Sequence, residues 1–253
     1  MENVYITKVI LEEVRNLTYA EIPLSTKEKK NLIITGKNGS GKTTVLNAVA
    51  SYLNAVFESN GIEYEKKYLK MDEGNLDYRK THGGTESEIR ELERRVYDRK
   101  DRLTLLKHGI EIELNCSGEH AHQLFQDGRV VLAYYKADRV FRTDIPRHVE
   151  KVQLQDQYSI DENPRDNLVK YLLDLKMTQA LSATNGKQEK AADIQRWFDN
   201  FEKLLQKIFE NKQLKLEFDE ETFKFSIKEP EKEAYDFNSL SSGYAAILDI
   251  VVD

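Results

Sequence analysis

The stretch Gly36-Lys37-Asn38-Gly39-Ser40-Gly41-Lys42-Thr43-Thr44 constrains this chain more than any other. Gly36 and Gly41 bracket four residues and are followed by Lys42 and Thr43, which completes the phosphate-binding loop pattern. A loop that curls around a diphosphate must turn successive backbone N–H groups inward, and glycine permits the backbone angles and close approach this needs. Lys42 is expected to reach the β- and γ-phosphates of a nucleotide and is the catalytic candidate. Asn38, Gly39, Ser40, Gly41, Thr43 and Thr44 complete the cradle, and the Thr43 hydroxyl is the expected Mg²⁺ ligand.

The motif has meaning only between an entering strand and a leaving helix. Asn31 to Thr35 is a short apolar run ending at Gly36, and it reads as a buried strand. Beyond Thr43, Leu46, Val49, Ala50, Leu53, Val56 and Phe57 recur at helical spacing, so a helix should bring its positive N-terminal end to the phosphates.

With 253 residues the chain can bury a full core, as one large domain or a domain with a subdomain. No apolar run approaches a membrane span, and the first residues lack the basic and apolar regions of a signal peptide. The single cysteine, Cys116, excludes internal disulfides and fits a reducing cytoplasm. A net charge of -6 neither favours nor excludes DNA or RNA, because such binding depends on local patches.

Val4–Leu11 and Tyr19–Leu24 read as paired strands, joined through the turn Val14-Arg15-Asn16-Leu17, where Arg15 and Asn16 are placed to border a nucleotide base. Ser59 to Gly84 is charged and aperiodic, and reads as a mobile surface insertion. Thr85 and Glu88 form a capping box that opens a helix with Ile89, Leu92, Val96, Leu103 and Leu106 on one stripe. Arg99 breaks that seam, which favours a surface helix over a coiled-coil arm. Gly109–Cys116 alternates as a half-exposed strand. Cys116, His120 and His122 read as a polar turn, since a zinc site would need a fourth ligand.

Val130–Tyr135 is a fully apolar strand, and its C-terminal end, followed by Lys136, Asp138 and Arg139, is expected near the site. Asn163 and Pro164 begin a helical lobe, with Leu168, Leu172 and Leu175 on one helix. A stripe from Ile194 through Trp197, Phe198, Phe201, Leu204, Leu205 and Ile208 to Phe209 marks the next. Leu214–Phe218 and Phe223–Ile227 make a hairpin. The chain divides into strands, loop and loop helix (1–58), charged insertion and surface helix (59–107), strands (108–160), helical lobe (161–212), and hairpin with a last helix (213–253).

That helix opens at Ser239-Leu240-Ser241-Ser242-Gly243-Tyr244, a second anion-binding helix terminus. With GKNGSGKTT, the Arg15-Asn16 turn and YYKADR, this SLSSGY segment makes the chain resemble the ATPase head of the ABC superfamily. It is similar to the SMC, RecF and OLD-like branch, the AAA-family ATPases common in bacterial anti-phage defence. The resemblance covers both ends of the chain and not residues 59–126.

The resemblance implies an α/β P-loop NTPase with an antiparallel β subdomain and a helical lobe, using ATP and Mg²⁺. It implies that Ser241, Ser242 and Gly243 touch the γ-phosphate of a nucleotide held by a second subunit, so that two heads close on two ATP molecules. The function it points to is a sensor or motor subunit of a defence complex that controls an effector or nuclease. A DNA-repair or chromosome-maintenance ATPase is the alternative, and a small-molecule kinase is disfavoured by Ser239–Gly243. The family's glutamine is replaced here by the region of Lys136, Asp138 and Arg139, which leaves the water-sensing residue open.

Ile250-Val251-Val252-Asp253 is rejected as the acidic strand that holds Mg²⁺, because the helix opened at Gly243 must still be running. Ile247, Ile250 and Val251 fit one face of it. The chain is therefore expected to stop inside this helix, short of the acidic residues that hydrolysis requires.

Overall fold

A computed structural model of the chain describes residues 4–15, 17–135, 143, 145–155, 158–160 and 162–252. The chain forms two compact units, Met1–Tyr134 and Tyr135–Asp253. No helix among the described residues is long and apolar enough to cross a membrane.

The first unit is built on a three-stranded antiparallel sheet of order β2-β1-β3, with β1 Ile6–Leu11, β2 Ala20–Pro23 and β3 Ile110–Leu114. Alternation along β1 turns Thr7, Val9 and Leu11 inward, and Val9 pairs with Ile22 on one side and Ile112 on the other. Helix α1, Lys42–Phe57, packs on this face through Val45, Ala48, Tyr52, Ala55 and Val56. The buried stripe is offset from the expected one, since Leu46 is exposed. Burial pushes the Tyr52 hydroxyl up to about 12, helped by the nearby Glu111 charge, and that hydroxyl donates to Glu111 Oε1 at 3.1 Å.

Residues 59–84 are not the aperiodic insertion expected from the sequence. They carry helix α2, Gly61–His82, which lies against α3, Glu86–Lys107. The period is hidden in the sequence because the inward stripe of α2 contains Glu65 and Asp72, both buried, whose charges are met by Arg99. The break in the α3 seam and the breaks in α2 are one ion cluster, so α3 is half of a helical hairpin and not a lone surface helix. Its start is as expected: Thr85 Oγ1 accepts from the Glu88 amide and Glu88 Oε2 accepts from the Thr85 amide.

The expected turn at Cys116–His122 is instead helix α4, Gly118–Gln126, capped by Ser117, whose Oγ accepts from the His120 amide. It buries Ala121, Leu124 and Phe125, an apolar spacing masked in the sequence by the polar residues between them.

Two expected strands have no ladder. Asn31–Thr35 and Val130–Tyr135 pair with no described residue, although burial along Val130–Tyr135 alternates as a strand's would. Ile34, Val130 and Leu132 pack on the core, while Ile33 and Val131 are 81% and 82% exposed. Apolar β composition becomes a strand only where a neighbour satisfies its backbone groups.

In the second unit a 3-10 turn, Pro164–Asn167, leads into α5, Leu168–Thr184. Helix α6, Gln188–Ile208, buries Ile194, Phe198, Phe201 and Leu205 against Leu172 and Leu173 of α5. The aromatic stripe is therefore core. A hairpin of β4, Lys215–Asp219, and β5, Lys224–Lys228, adds Phe225 and Ile227 to this core, with Phe218 opposite Phe225. Asp219 Oδ1 accepts from the amides of Glu221 and Thr222 and shapes the turn.

The last helix, α7, spans Ser242–Val252. Its buried side is Ala245 and Leu248, while Ile247, Ile250 and Val251 are exposed. The expected shared face is thus not the packed one. The reading of residues 250–252 as helix agrees with the structure, and Asp253 lies outside the described residues.

Candidate functional site

The sheet of the first unit brings two loops together. Val14 and Leu17 exchange backbone hydrogen bonds at 3.3 and 3.0 Å, which closes a tight turn with Arg15 at φ 54°. Leu17 then meets the second loop beneath Gly41, where a Cβ would lie 3.1 Å from Leu17 Cδ1. Gly41 has φ 89° and ends the loop as the residue that begins α1, so both its backbone and its surroundings require glycine. No spacing rule singles out Leu17, because its role is to support a backbone from a distant part of the chain.

Lys42 crosses the loop it terminates. Its Nζ donates to the carbonyls of Gly36 and Lys37, each at 2.8 Å. A Cβ at Gly36 would fall 2.7 Å from Ser40 Oγ, so the two ends of the loop are close. The Ser40 amide donates back to the Lys37 carbonyl at 3.2 Å. No acidic residue occupies the first turn of α1, where the helix dipole is positive.

These pieces enclose a cavity of about 700 Å³ lined by Val14, Arg15, Leu17 and the run Asn38 to Thr44. The expected residues Asn38, Gly39, Ser40, Gly41, Lys42, Thr43, Thr44 and Arg15 therefore share one cavity. Asn16 lies outside the described residues. The donor set is that of an anion site: a lysine, hydroxyls and glycine-loop amides at a helix N-terminus.

The end of the Val130–Tyr135 segment does come to this neighbourhood. The Tyr134 hydroxyl donates to Asn47 Oδ1 on α1, a contact no motif points to. Lys136, Asp138 and Arg139, where the sensing residue was expected, lie outside the described residues.

In the second unit Ser241, Ser242 and Gly243 are exposed at the start of α7, and the Ser241 carbonyl accepts from the Ala245 amide at 2.9 Å. Just upstream, Asn238 exchanges two hydrogen bonds with the backbone of Thr143, at 2.7 and 2.9 Å. Leu248 is sealed in the core behind it, and Asp249 pairs with Arg165, so the exposed terminus stands on a rigid base.

Of the other sequence candidates, His122 Nδ1 donates to the Phe57 carbonyl at 2.6 Å and so ties α4 to α1. Among the described residues no group of His, Cys, Asp and Glu is arranged to hold a metal ion.

A glycine loop that is closed by its own lysine and opens onto a helix N-terminus defines a P-loop NTPase. The family model described as AAA domain matches residues 8–240, and the chain belongs to this family of ATPase domains. No curated protein and no solved structure matches it.

Proposed function

We propose that the chain is the ATP-binding head of an ABC-type ATPase of the SMC, RecF and OLD-like branch. Its role would be that of sensor or motor subunit in a bacterial anti-phage defence complex, controlling an effector or nuclease. The observation that carries the nucleotide reading is Lys42 held across the glycine loop at the start of α1. The residues fit ATP with Mg²⁺: the loop amides and Lys42 would hold the β- and γ-phosphates, Thr43 would give the metal one oxygen, and Arg15 would border the base. Bound Mg²⁺ would neutralise phosphate charge.

The exposed Ser241-Ser242-Gly243 terminus would add a second set of donors from another subunit, closing two heads over two nucleotides. The defence role rests on the resemblance of GKNGSGKTT and SLSSGY to that branch. Sedimentation with and without ATP tests the closure. Ser242→Arg should abolish the ATP-dependent dimer while ATP still binds the monomer, and a dimer indifferent to ATP and to the substitution would refute it. An ATPase rate stimulated by duplex DNA would favour the chromosome-maintenance alternative.

A further inference from the structure

The second unit holds a cavity of about 440 Å³, within the span of small-molecule sites, which is roughly 300–1,000 Å³. It involves no residue of the glycine loop or of the Ser241–Gly243 terminus. Trp197 stands one turn before Asn200 and Phe201 on α6, and Tyr171 of α5 and Val251 of α7 contribute to the walls. Arg165 and Asn167 enter from the 3-10 turn. The rings are set against one another: Trp197 stacks on Phe201 with centroids 5.4 Å apart, and Tyr171 meets Trp197 edge-on at 5.6 Å.

The rim is fastened to α5. Asp174, which is buried, pairs with Lys151 and accepts from the Val152 amide at 3.2 Å. That clamp leads to Leu154 and Gln155, which line the cavity, and the Gln155 amide donates to the Tyr158 hydroxyl at 3.0 Å.

Two properties of the lining define what fits. The first is charge. Arg165 is the one charged residue among the described lining, and Asp249 answers it. A phosphate or carboxylate would enter with no free cation to meet it, at a steep desolvation cost. The second is unspent hydrogen bonding. The side-chain amides of Gln155, Asn167 and Asn200, the Trp197 indole N–H and the Tyr171 hydroxyl have no hydrogen-bond partner among the described residues. A purely hydrocarbon ligand would leave all of them unmatched.

We propose that this cavity binds an uncharged purine, as the free base or nucleoside, with its ring stacked on the aromatic wall and its edge read by the asparagine and glutamine amides. An amide side chain presents a donor beside an acceptor, which matches the N6–N7 edge of adenine, and bases stack on aromatic side chains. Adenosine is the probe that combines both.

Trp197 is the chain's only tryptophan, so its fluorescence reports on the cavity directly. Titration of the whole chain with adenosine, without ATP or Mg²⁺, should quench it saturably with a Kd below about 1 mM. Asn167→Leu and Asn200→Leu should each weaken binding about tenfold, the loss of one hydrogen bond. Both side chains are exposed and have no partner among the described residues, so helical circular dichroism should be unchanged in the variants. AMP should bind no more tightly than adenosine. Benzene, which fills aromatic space but has no hydrogen-bonding edge, should bind at least about tenfold more weakly. An absent or unsaturable response to adenosine overturns the proposal. So do leucine variants that bind adenosine as the unmodified chain does, and benzene that binds as tightly as adenosine. Tighter binding of AMP overturns the assignment of an uncharged ligand.

Discussion

Arg99 Nε donates to Asp72 Oδ2 at 2.5 Å across the α2–α3 hairpin, and the Asp72 side chain is only 4% exposed. The same guanidinium reaches Glu65 at 3.0 Å and lies 4.9 Å from the centre of the Tyr68 ring. Arg99, joined by Arg102 on Glu65 Oε1 at 3.2 Å, therefore neutralises the buried charges that the inward stripe of α2 places in an otherwise apolar seam.

Arg99→Ala should destabilise the first unit by about 3 kcal/mol, because it strands buried carboxylates and does not merely delete a contact. Replacing Arg99, Asp72 and Glu65 together with leucines should recover most of that loss. Urea unfolding of both variants checks this, and a triple variant no better than the single one would show that the ion cluster is not the cause.

Thr85→Ala removes one arm of the capping box at the start of α3 and should cost about 1 kcal/mol. Thermal unfolding followed by helical circular dichroism measures it. Thr85→Ser should be close to neutral, since its hydroxyl can still accept from the Glu88 amide.

Alkaline pH should loosen the first unit through Tyr52. Its hydroxyl titrates at about 12 in the fold and near 10 when unfolded, because burial and the charge of Glu111 oppose ionisation. A raised value stabilises the fold fully below the unfolded pKa and loses that stabilisation as pH rises through the folded one. Stability should therefore fall between about pH 10 and about pH 12, by about 2 kcal/mol. Tyr52→Phe should flatten that part of the profile, and a slope unchanged in the variant would assign the effect elsewhere.

Lys42→Ala should weaken ATP binding by about one to two orders of magnitude, the loss of a charge-assisted contact of about 1.5–3 kcal/mol. Titration calorimetry reads it directly. An affinity equal to the unmodified chain would remove Lys42 from the proposed site. The variant should fold normally, since the lysine's present partners are two loop carbonyls at the surface.

The cradle is legible in the amino-acid sequence because its requirements are local. Glycine at Gly36 and Gly41, a lysine after the second, and a helix beginning at once are all written within nine residues. The capping box at Thr85 and the helix at Ser242 are legible for the same reason, since a cap acts within one turn. Helix α2 is not. Its period includes Glu65 and Asp72, and nothing near them in sequence announces that Arg99 will neutralise both.

The sequence by itself determined where backbone amides gather at a helix N-terminus and which side chains reach into that space, because those effects span a few residues. Only the tertiary structure decided that Leu17 supports Gly41, that Tyr134 meets Asn47, and that Asn31–Thr35 and Val130–Tyr135 have no ladder among the described residues. Each depends on what lies alongside in space. A strand is defined by its neighbour, and a buried charge by the partner that answers it.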